Sequence, residues 1–376
     1  MRAGGVSGQS RILPHPRSLS RGEREVKPLS LRERGRGEGK DFPAPQKNHI
    51  VVACKRASRL LPWLAWALSF AEVHAQQYPT RPIRLIVPFP AGGTADVIAR
   101  GVASEVSTQL GQTIVIDNRG GANGIIGIEI VAKSAPDGYT LLHSTASIVI
   151  NPSIYTKLPY DTFRDFDPVT NLVLGTGYLV VLHPAVPAKT VKELIALARS
   201  GKVSYSSPGV GNTLHLAAEM FATRTGVSLL HVPYKGVAPA LSALLAGEVQ
   251  MTLIPPTIAV PQIKTGRARA IAFTGATRFA GLPQLPTMSE AGVADLVLVG
   301  AWHGWFAAAK SPRDAIARLH QEVAKSLKVP KVRDLIVAGG YEPDGRNPAE
   351  FAKFLRSETA RFAEMVRVAK VPKVAN

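Results

Sequence analysis

The amino-acid sequence predicts a two-lobed α/β protein, with largely parallel sheets that carry helices on both faces and a cleft between the lobes. Short β-rich runs alternate with helical patterns from residue 84 to residue 273, which is typical of strand–helix–strand units. The chain has 376 residues, enough for two domains that each bury a core. Two segments, near 178–182 and 297–302, are expected to cross between the lobes.

The N-terminal 75 residues differ from the rest and are expected to lie outside this fold. Residues 1–50 are rich in Arg, Gly, Ser and Pro without an apolar period. We predict an unfolded extension there, or sequence upstream of a true translation start near Val51. Residues 51–75 have the anatomy of a secretory signal peptide: a basic start, the apolar run 60–70 and small residues at the end. This run is too short to span a bilayer, which needs roughly 20 residues. We therefore predict export to the periplasm, with cleavage near Ala75–Gln76.

The only cysteine, Cys54, precedes the predicted cleavage site. The exported chain would then lack cysteine, which excludes disulfides, a thiol nucleophile and a Cys-based metal site. Residues 51–54 also resemble a lipoprotein box, but the polar residues 47–49 stand where that signal requires an apolar stretch.

Positive charge is unevenly distributed along the chain. The net charge is +18, of which residues 1–75 carry +8 and residues 76–376 carry +10. In the latter part the basic residues are scattered, without the basic stripe and interleaved aromatics of a nucleic-acid binder. We therefore predict no nucleic-acid partner and a mild positive field that attracts anions.

The elements follow one another in a regular order. Apolar β-branched runs predict strands at 84–89, 114–117, 140–143, 203–206, 229–231, 249–253 and 269–273. Apolar spacing of three and four residues predicts helices at 94–110, 125–133, 190–200, 213–225, 237–246, 257–264, 312–327 and 348–366. The two crossings divide these elements into a first lobe, 76–179 plus 302–376, and a second lobe, 180–301.

Glycine-rich loops join several predicted strands to helices, where open α/β sheets bind ligands. Residues 88–96 (PFPAGGTAD) precede a helix whose N-terminal N–H groups favour an anion; a tight loop with a good helix cap is the structural alternative. Residues 118–124 (NRGGANG) repeat this arrangement, with Arg119 either pairing with an anion or facing solvent. Residues 144–146 and 206–213 supply further hydroxyl groups at strand ends.

Motifs for catalysis, nucleotides and metals are missing from the sequence. It contains no G-x-x-x-x-G-K-[ST] loop, no G-x-G-x-x-G fingerprint, no G-x-S-x-G elbow and no H-E-x-x-H helix. His215 and Glu219 have the i, i+4 spacing of a metal pair, but no third ligand lies near them. We therefore expect no enzymatic activity, no metal and no cofactor.

Several motifs resemble those of the tripartite tricarboxylate transporter substrate-binding proteins, the Bug family. They are Tyr78–Asp96, Asn118–Gly124, Ala135–Leu142, Ser206–Glu219, Val232–Gly236, Leu285–Gly292 and Trp302–Phe306. Each motif alone is weak, but their number and order make the resemblance specific, and it extends from about Tyr78 to Arg367. The sequence differs from many family members at Ala91, Gln250–Met251 and Pro255–Pro256, and these differences bear on which ligand is bound rather than on the fold.

The resemblance implies a type II periplasmic-binding-protein fold that closes on its ligand like a flytrap. It implies that two loops of the first lobe contact one ligand carboxylate, and that residues 207–213 close from the second lobe. The implied ligand-binding residues are Phe89, Ala91, Gly92, Gly93, Thr94, Asp96, Ser144, Thr145, Ser147, Ser207, Gly209, Gly211, Asn212 and Thr213.

The function implied by the resemblance is solute capture. An exported protein, which we expect to be a monomer, would bind a small organic carboxylate by lobe closure and deliver it to the subunits of a membrane transporter. Two alternatives use the same cleft: a ligand sensor that docks on a signalling receptor, and a periplasmic hydrolase or lyase.

Overall fold

The computed structural model describes residues 78–294, 296–298 and 301–375; the predicted extension 1–50 and signal peptide 51–75 lie outside these ranges. The strands are β1 Ile83–Val87, β2 Ile114–Asn118, β3 Thr140–Thr145, β4 Phe166–Gly175, β5 Leu179–Leu182, β6 Ser204–Ser207, β7 Leu230–Pro233, β8 Met251–Ile254, β9 Arg269–Phe273, β10 Trp302–Ala308 and β11 Tyr341–Pro343. The helices are α1 Thr94–Leu110, α2 Ile125–Ala132, α3 Ser147–Ile154, α4 Val191–Ala198, α5 Thr213–Thr225, α6 Val237–Leu245, α7 Pro256–Lys264, α8 Arg313–Ser326, α9 Pro330–Ala338 and α10 Pro348–Val368.

The strands form two sheets, with the orders β11-β4-β10-β3-β1-β2 and β7-β6-β8-β5-β9. The two-lobed α/β fold is therefore confirmed, but the sheets are mixed rather than largely parallel. Parallel pairing is confined to β1–β2, β1–β3, β6–β7 and β6–β8. The other pairs, around β4, β10, β11, β5 and β9, are antiparallel. Alternation of strands and helices predicts parallel strand pairs, because a helix joins the two strands of such a pair. The strands next to the crossings between the lobes are not joined in this way, so the alternation did not predict them.

The chain passes between the two sheets over short segments. Strand β4 of the first sheet ends at Gly175 and β5 of the second begins at Leu179. The chain is back in the first sheet at Trp302, where β10 begins. On this basis we keep 76–179 with 302–376 as the proposed first lobe and 180–301 as the proposed second.

The first sheet is covered by helices on both faces, which explains the composition of its strands. Strand β1 (IRLIV) is buried at every position except Arg84, as expected for a strand inside an α/β sheet. Helix α1 buries Ile98, Val102 and Val106 and ends at Gly111, whose φ of 66° is left-handed. Helices α8 and α9 pack on α1, whereas α10 packs on α3 and β4. None of the helices that the structure describes is long and apolar enough to cross a membrane.

Helix α2 lies unusually close to the loop that follows β1, and the contact requires glycine at position 127. A Cβ atom there would lie 2.7 Å from Cβ of Pro88 and 2.8 Å from the carbonyl oxygen of Arg119. We expect Gly127→Ala to lower the free energy of unfolding by about 1–3 kcal/mol, because the backbone must shift to admit the methyl group. Denaturant unfolding measures this change. Ile126→Ala is the control, since its side chain is 49% exposed, and an equal loss in both variants would contradict the prediction.

Candidate functional site

A small cavity of about 40 Å³ lies where the two lobes meet. This volume holds roughly three water molecules, at about 10–15 Å³ for each. Its polar lining consists of Thr94, Thr145, Tyr178, Asn212, Thr213, His303 and Tyr341. Its remaining lining consists of Phe89, Pro90, Gly93, Ala95, Ala146, Leu214, Val237, Pro255 and Ala301. Among the described residues of this lining, none is Lys, Arg, Asp or Glu.

The N-termini of several helices converge on this cavity. Helices α1 and α3 of the first lobe begin next to lining residues, and so do α5, α6 and α7 of the second lobe. The first N–H groups of a helix have no partner within it, and the helix dipole makes that end partially positive. These helix starts favour an anion through backbone groups rather than charged side chains. Helix α7 contributes through its dipole alone, because Pro255 and Pro256 have no N–H group and the N–H of Thr257 donates to Gly339.

In the first loop, Asp96 holds the loop together instead of lining the cavity. Its carboxylate accepts hydrogen bonds from Gly92 N at 2.9 Å, from Asn118 Nδ2 at 3.0 Å and from Arg100. Burial alone would raise the pKa of Asp96, but the bonds from Arg100, Gly92 and Asn118 outweigh it and lower the pKa. Ala91 and Gly92 are exposed and also lie outside the lining.

Thr94, in contrast, is a lining residue whose hydroxyl group is buried. The residue is 2% exposed and lines the cavity. Its Oγ1 atom is buried and has no hydrogen-bond partner among the residues that the structure describes. A buried hydroxyl without a partner costs free energy, so Thr94 is a strong candidate for a direct ligand contact.

Three hydroxyl residues lie at the end of β3 and the start of α3, and one of them lines the cavity. Thr145 lines the cavity, and its Oγ1 atom donates to Ser147 Oγ at 3.2 Å. Ser144 donates to the carbonyl oxygen of Thr145 at 3.3 Å. Ser144 and Ser147 are buried outside the cavity lining, so they support the segment instead of facing the cavity.

The loop of the second lobe divides in the same way. Asn212 and Thr213 line the cavity, whereas Ser207, Gly209 and Gly211 do not. The hydroxyl of Ser207 lies 2.6 Å from Nε2 of His231. This serine and histidine are positioned like a nucleophile and a base, but Ser207 is fully buried and neither residue reaches the cavity.

Glycine 211 connects this loop to the suspected metal pair. Gly211 N donates to Nδ1 of His215 at 3.1 Å, while Nε2 of His215 lies 3.8 Å from Glu219. Tyr205 also donates to Glu219, at 2.5 Å. These bonds give His215 and Glu219 a packing role, and no cluster of three or more metal-binding side chains occurs in the described part of the chain.

Three polar lining residues were not predicted from the sequence: Tyr178, His303 and Tyr341. Tyr178 is 3% exposed; burial raises its pKa to about 12, and the nearby side chain of Thr213 and backbone of Ala301 oppose that shift. His303 lies in the motif WHGWF, which carried the family resemblance but no predicted role. Tyr341 belongs to a strand of only three residues, which leaves too little pattern for a prediction.

A chain of buried asparagines links the two lobes. Asn212 Nδ2 donates to Asn123 Oδ1 at 3.3 Å, and Asn123 Nδ2 donates to Asn151 Oδ1 at 2.9 Å. Asn151 Nδ2 in turn donates to the hydroxyl of Tyr160 at 2.9 Å. Asn123 has a left-handed φ of 49°, which asparagine tolerates better than most residues. This chain, which we call the asparagine bridge, holds the lobes together next to the cavity.

The chain matches a family model described as the tripartite tricarboxylate transporter family receptor over residues 98–370. It belongs to this family. The structure of the periplasmic binding protein BugD is similar to it, with 33% identity, a TM-score of 0.75 and coverage of 79% of this chain and all (100%) of that one.

Two further members were solved with acids. An R. palustris protein with adipate has 34% identity, a TM-score of 0.76 and coverage of 79% of this chain and 100% of its own. MatC from Rhodopseudomonas palustris, with bound malate, has 30% identity, a TM-score of 0.72 and coverage of 77% and 100%.

The asparagine bridge of this family member is testable in solution. We expect Asn123→Gly to open the lobes, because it removes the bond to Asn212 while tolerating the left-handed backbone. One hydrogen bond contributes about 0.5–1.5 kcal/mol, so the ratio of closed to open molecules should fall about 2- to 10-fold. Small-angle scattering of the ligand-free protein would show a larger radius of gyration. Asn347→Ala, which removes the capping box of α10 far from the interface, should leave the radius unchanged; an increase there too would contradict the prediction.

Buried histidines make stability depend on pH. Burial lowers the pKa of His143 and His215 to about 3 and that of His231 to about 4, from 6.5 in the unfolded chain. Between pH 6.5 and 4 the unfolded chain therefore binds protons that the folded protein does not. We expect the free energy of unfolding to fall as pH decreases through this window, by up to about 1.4 kcal/mol per pH unit for the fully buried His143. Urea unfolding at pH 6.5 and 4.5 measures it, and equal stability at both values would contradict this account.

Proposed function

We propose that the protein captures a small organic carboxylate between its lobes and delivers it to the membrane subunits of a tripartite transporter. The observation that carries this proposal is the convergence of five helix N-termini on a cavity whose described lining has no charged side chain. Such a site stabilises an anion through fixed backbone dipoles. The family, a receptor for tripartite tricarboxylate transporters, supports the transporter as partner.

The ligand is expected to be a short dicarboxylate, because relatives bind malate and adipate. The cavity of about 40 Å³ is large enough for one carboxylate group and a short stem, so it must widen for a six-carbon diacid. Helices of both lobes contribute to the cavity, and the ligand therefore contacts both lobes only when they meet. A ligand with this preference shifts the population towards the closed state.

Location and oligomeric state complete the proposal. The similarity to the periplasmic binding protein BugD supports a function outside the cytoplasm. We propose export through the signal peptide 51–75, cleavage near Ala75–Gln76 and action as a monomer. Neither a metal nor a cofactor is needed for capture.

Binding without catalysis is part of the same proposal. Among the described residues, the cavity lining offers no acid, lysine or cysteine for chemistry. The one serine–histidine pair near the cleft, Ser207 and His231, is buried away from it. The lining residues Phe89, Gly93, Thr94, Thr145, Asn212 and Thr213 are proposed to contact the ligand, and the other residues expected from the sequence are proposed to support them.

A thermal-shift panel identifies the ligand class. The purified exported protein would be heated with acetate, succinate, malate, adipate, citrate, benzoate and nicotinate. We expect a saturable increase in melting temperature with a short dicarboxylate, because a ligand that binds only the folded state stabilises it. Carboxylate capture would be overturned if none of these acids shifts the melting temperature and mass spectrometry finds no acid released when the protein is denatured.

Thr94→Val separates ligand binding from folding. The variant removes a buried hydroxyl that has no partner, so the ligand-free protein should keep its stability or gain some. Affinity for the acid selected by the panel should fall about 10- to 100-fold, since a hydrogen bond to a charged group is lost. Thr265→Val is the matched control at the exposed far end of α7. Equal affinity of Thr94→Val and wild type would exclude a ligand contact by Thr94.

A further inference from the structure

A continuous series of buried hydrogen bonds runs through the first sheet and ends at the cavity. Nε1 of Trp305 lies 3.1 Å from Nδ1 of His143, and Nε2 of His143 lies 3.0 Å from Nδ1 of His303. Nε2 of His303 then lies 3.4 Å from the hydroxyl of Tyr341. These four side chains, which we call the tyrosine relay, are at most 3% exposed.

The chemistry of the first residue determines the direction of every bond in the tyrosine relay. An indole N–H group can only donate, so Nδ1 of His143 must accept. A neutral His143 then carries its proton on Nε2 and donates it to Nδ1 of His303. His303 is thereby fixed in the Nε2–H form and donates to the oxygen of Tyr341.

Both histidines of the relay are neutral at ordinary pH. Burial lowers the pKa of His143 to about 3 and, together with His143, holds the pKa of His303 well below its usual range. Within the relay, the ring of Tyr341 packs edge-on to that of His303, with centroids 5.3 Å apart. Neutral rings each have one donor and one acceptor nitrogen, so the direction cannot reverse without breaking the bond from Trp305.

Strand pairing builds the tyrosine relay. In β3 and β10, His143 lies opposite Trp305 and Thr145 lies opposite His303, so these side chains share one face of the sheet. Tyr341 of β11 pairs with Gly175 of β4. Strand β4 lies between β11 and β10, so the contact of Tyr341 with His303 reaches across one intervening strand.

Tyr341 lines the cavity, and its hydroxyl keeps a hydrogen to donate. Its in-plane lone pair accepts from His303, which leaves its hydrogen pointing elsewhere. No acceptor for this hydrogen occurs among the hydrogen bonds of the described residues, and Tyr341 lines the cavity. Thr94, which lines the same cavity, has a buried hydroxyl without a partner, so two residues of this lining have hydroxyl groups that can still bond to a ligand.

We propose that Tyr341 donates a hydrogen bond to an acceptor oxygen of the bound acid, and that Trp305, His143 and His303 are positioning residues that keep this hydroxyl in its donating orientation. The inference rests on the proposed function of carboxylate capture and adds a specificity rule to it. A carboxylate or carbonyl oxygen at this point accepts the hydrogen bond from Tyr341. An ammonium group there would face the hydroxyl hydrogen of Tyr341 and would find no acceptor for its own hydrogens. The cavity should therefore reject ligands that place an amino group next to Tyr341.

The first experiment determines the direction of the hydrogen bonds in the tyrosine relay in the absence of ligand. Nitrogen chemical shifts of the purified exported protein, labelled with ¹⁵N at histidine, report which ring nitrogen of His143 and His303 carries the proton. We expect the neutral Nε2–H form for both at pH 7. The Nδ1–H form or a charged ring at either position would overturn the proposal, because Tyr341 would then no longer be held as a donor.

The second experiment tests the contact with the acid. Binding of succinate, malate and adipate to wild type and to Tyr341→Phe would be measured by titration calorimetry. For whichever of these acids binds wild type, we expect the dissociation constant to rise about 10- to 100-fold in Tyr341→Phe. Tyr78→Phe is the matched control, because it removes a hydroxyl that bonds to Gly138 outside the cavity; its affinity should equal that of wild type.

The two experiments separate failure of this inference from failure of the proposed function. An acid that binds wild type and Tyr341→Phe equally overturns the role of Tyr341 and leaves carboxylate capture intact. If none of the three acids binds wild type, both the capture of these acids and the contact with Tyr341 are wrong. Saturating acid should also shift the Nε2 signal of His303 in wild type and leave it unmoved in Tyr341→Phe, which a purely structural relay would not produce.

Discussion

Five helix N-termini meet at one cavity, and this convergence governs how both lobes are built. A lysine or arginine in so enclosed a site would be largely desolvated and unpaired whenever the acid is absent, which costs several kcal/mol. Partial charges on backbone N–H groups avoid that cost, because the helices that carry them are stabilised by their own packing. The requirement explains why glycine-rich loops precede α1 and α6: a Cβ atom at Gly236 would lie 2.7 Å from Pro90 of the opposite lobe.

The need for an electropositive cavity also explains why the carboxylate near the cleft, that of Asp96, is hydrogen-bonded within its own lobe. The carboxylate of Asp96 is held by Gly92, Asn118 and Arg100, so its negative charge is compensated before it can oppose an anion. Closure then adds partners from the second lobe to a site that the first lobe has already made electropositive. Because the anion is surrounded only when the lobes meet, binding energy and lobe closure are parts of one equilibrium. The asparagine bridge contributes to that equilibrium without using a charge.

The sequence predicts those parts of the site that depend on neighbouring residues and misses those that depend on strand pairing. Loops 88–96 and 206–213 are recognisable because a strand, glycines and a helix start follow one another. The family resemblance also implied Asp96 and Ser207 as ligand contacts, but short polar side chains at strand ends also bond to their own loops, and here they do. His303 and Tyr341 reach the cavity only because β10 inserts between β3 and β4 and β11 pairs with β4. Such long-range pairing leaves no local pattern, and it also accounts for the unexpected mixture of strand directions.

Selectivity in a cavity lined by neutral groups has to come from the direction of its hydrogens. The net charge of +10 on residues 76–376 attracts anions over long distances, but salt screens it beyond about 8 Å and it treats acids alike. Inside the cavity, the buried hydroxyl of Thr94 lacks a partner until an acceptor arrives. A ligand without an oxygen at that point leaves the Thr94 hydroxyl without a partner. A ligand with an oxygen there forms the missing hydrogen bond and removes the free-energy cost of the unpaired hydroxyl. Discrimination between ligands thus increases with the number of hydrogen-bond donors whose direction is fixed. This is the physical advantage of orienting the Tyr341 hydroxyl through two neutral histidines.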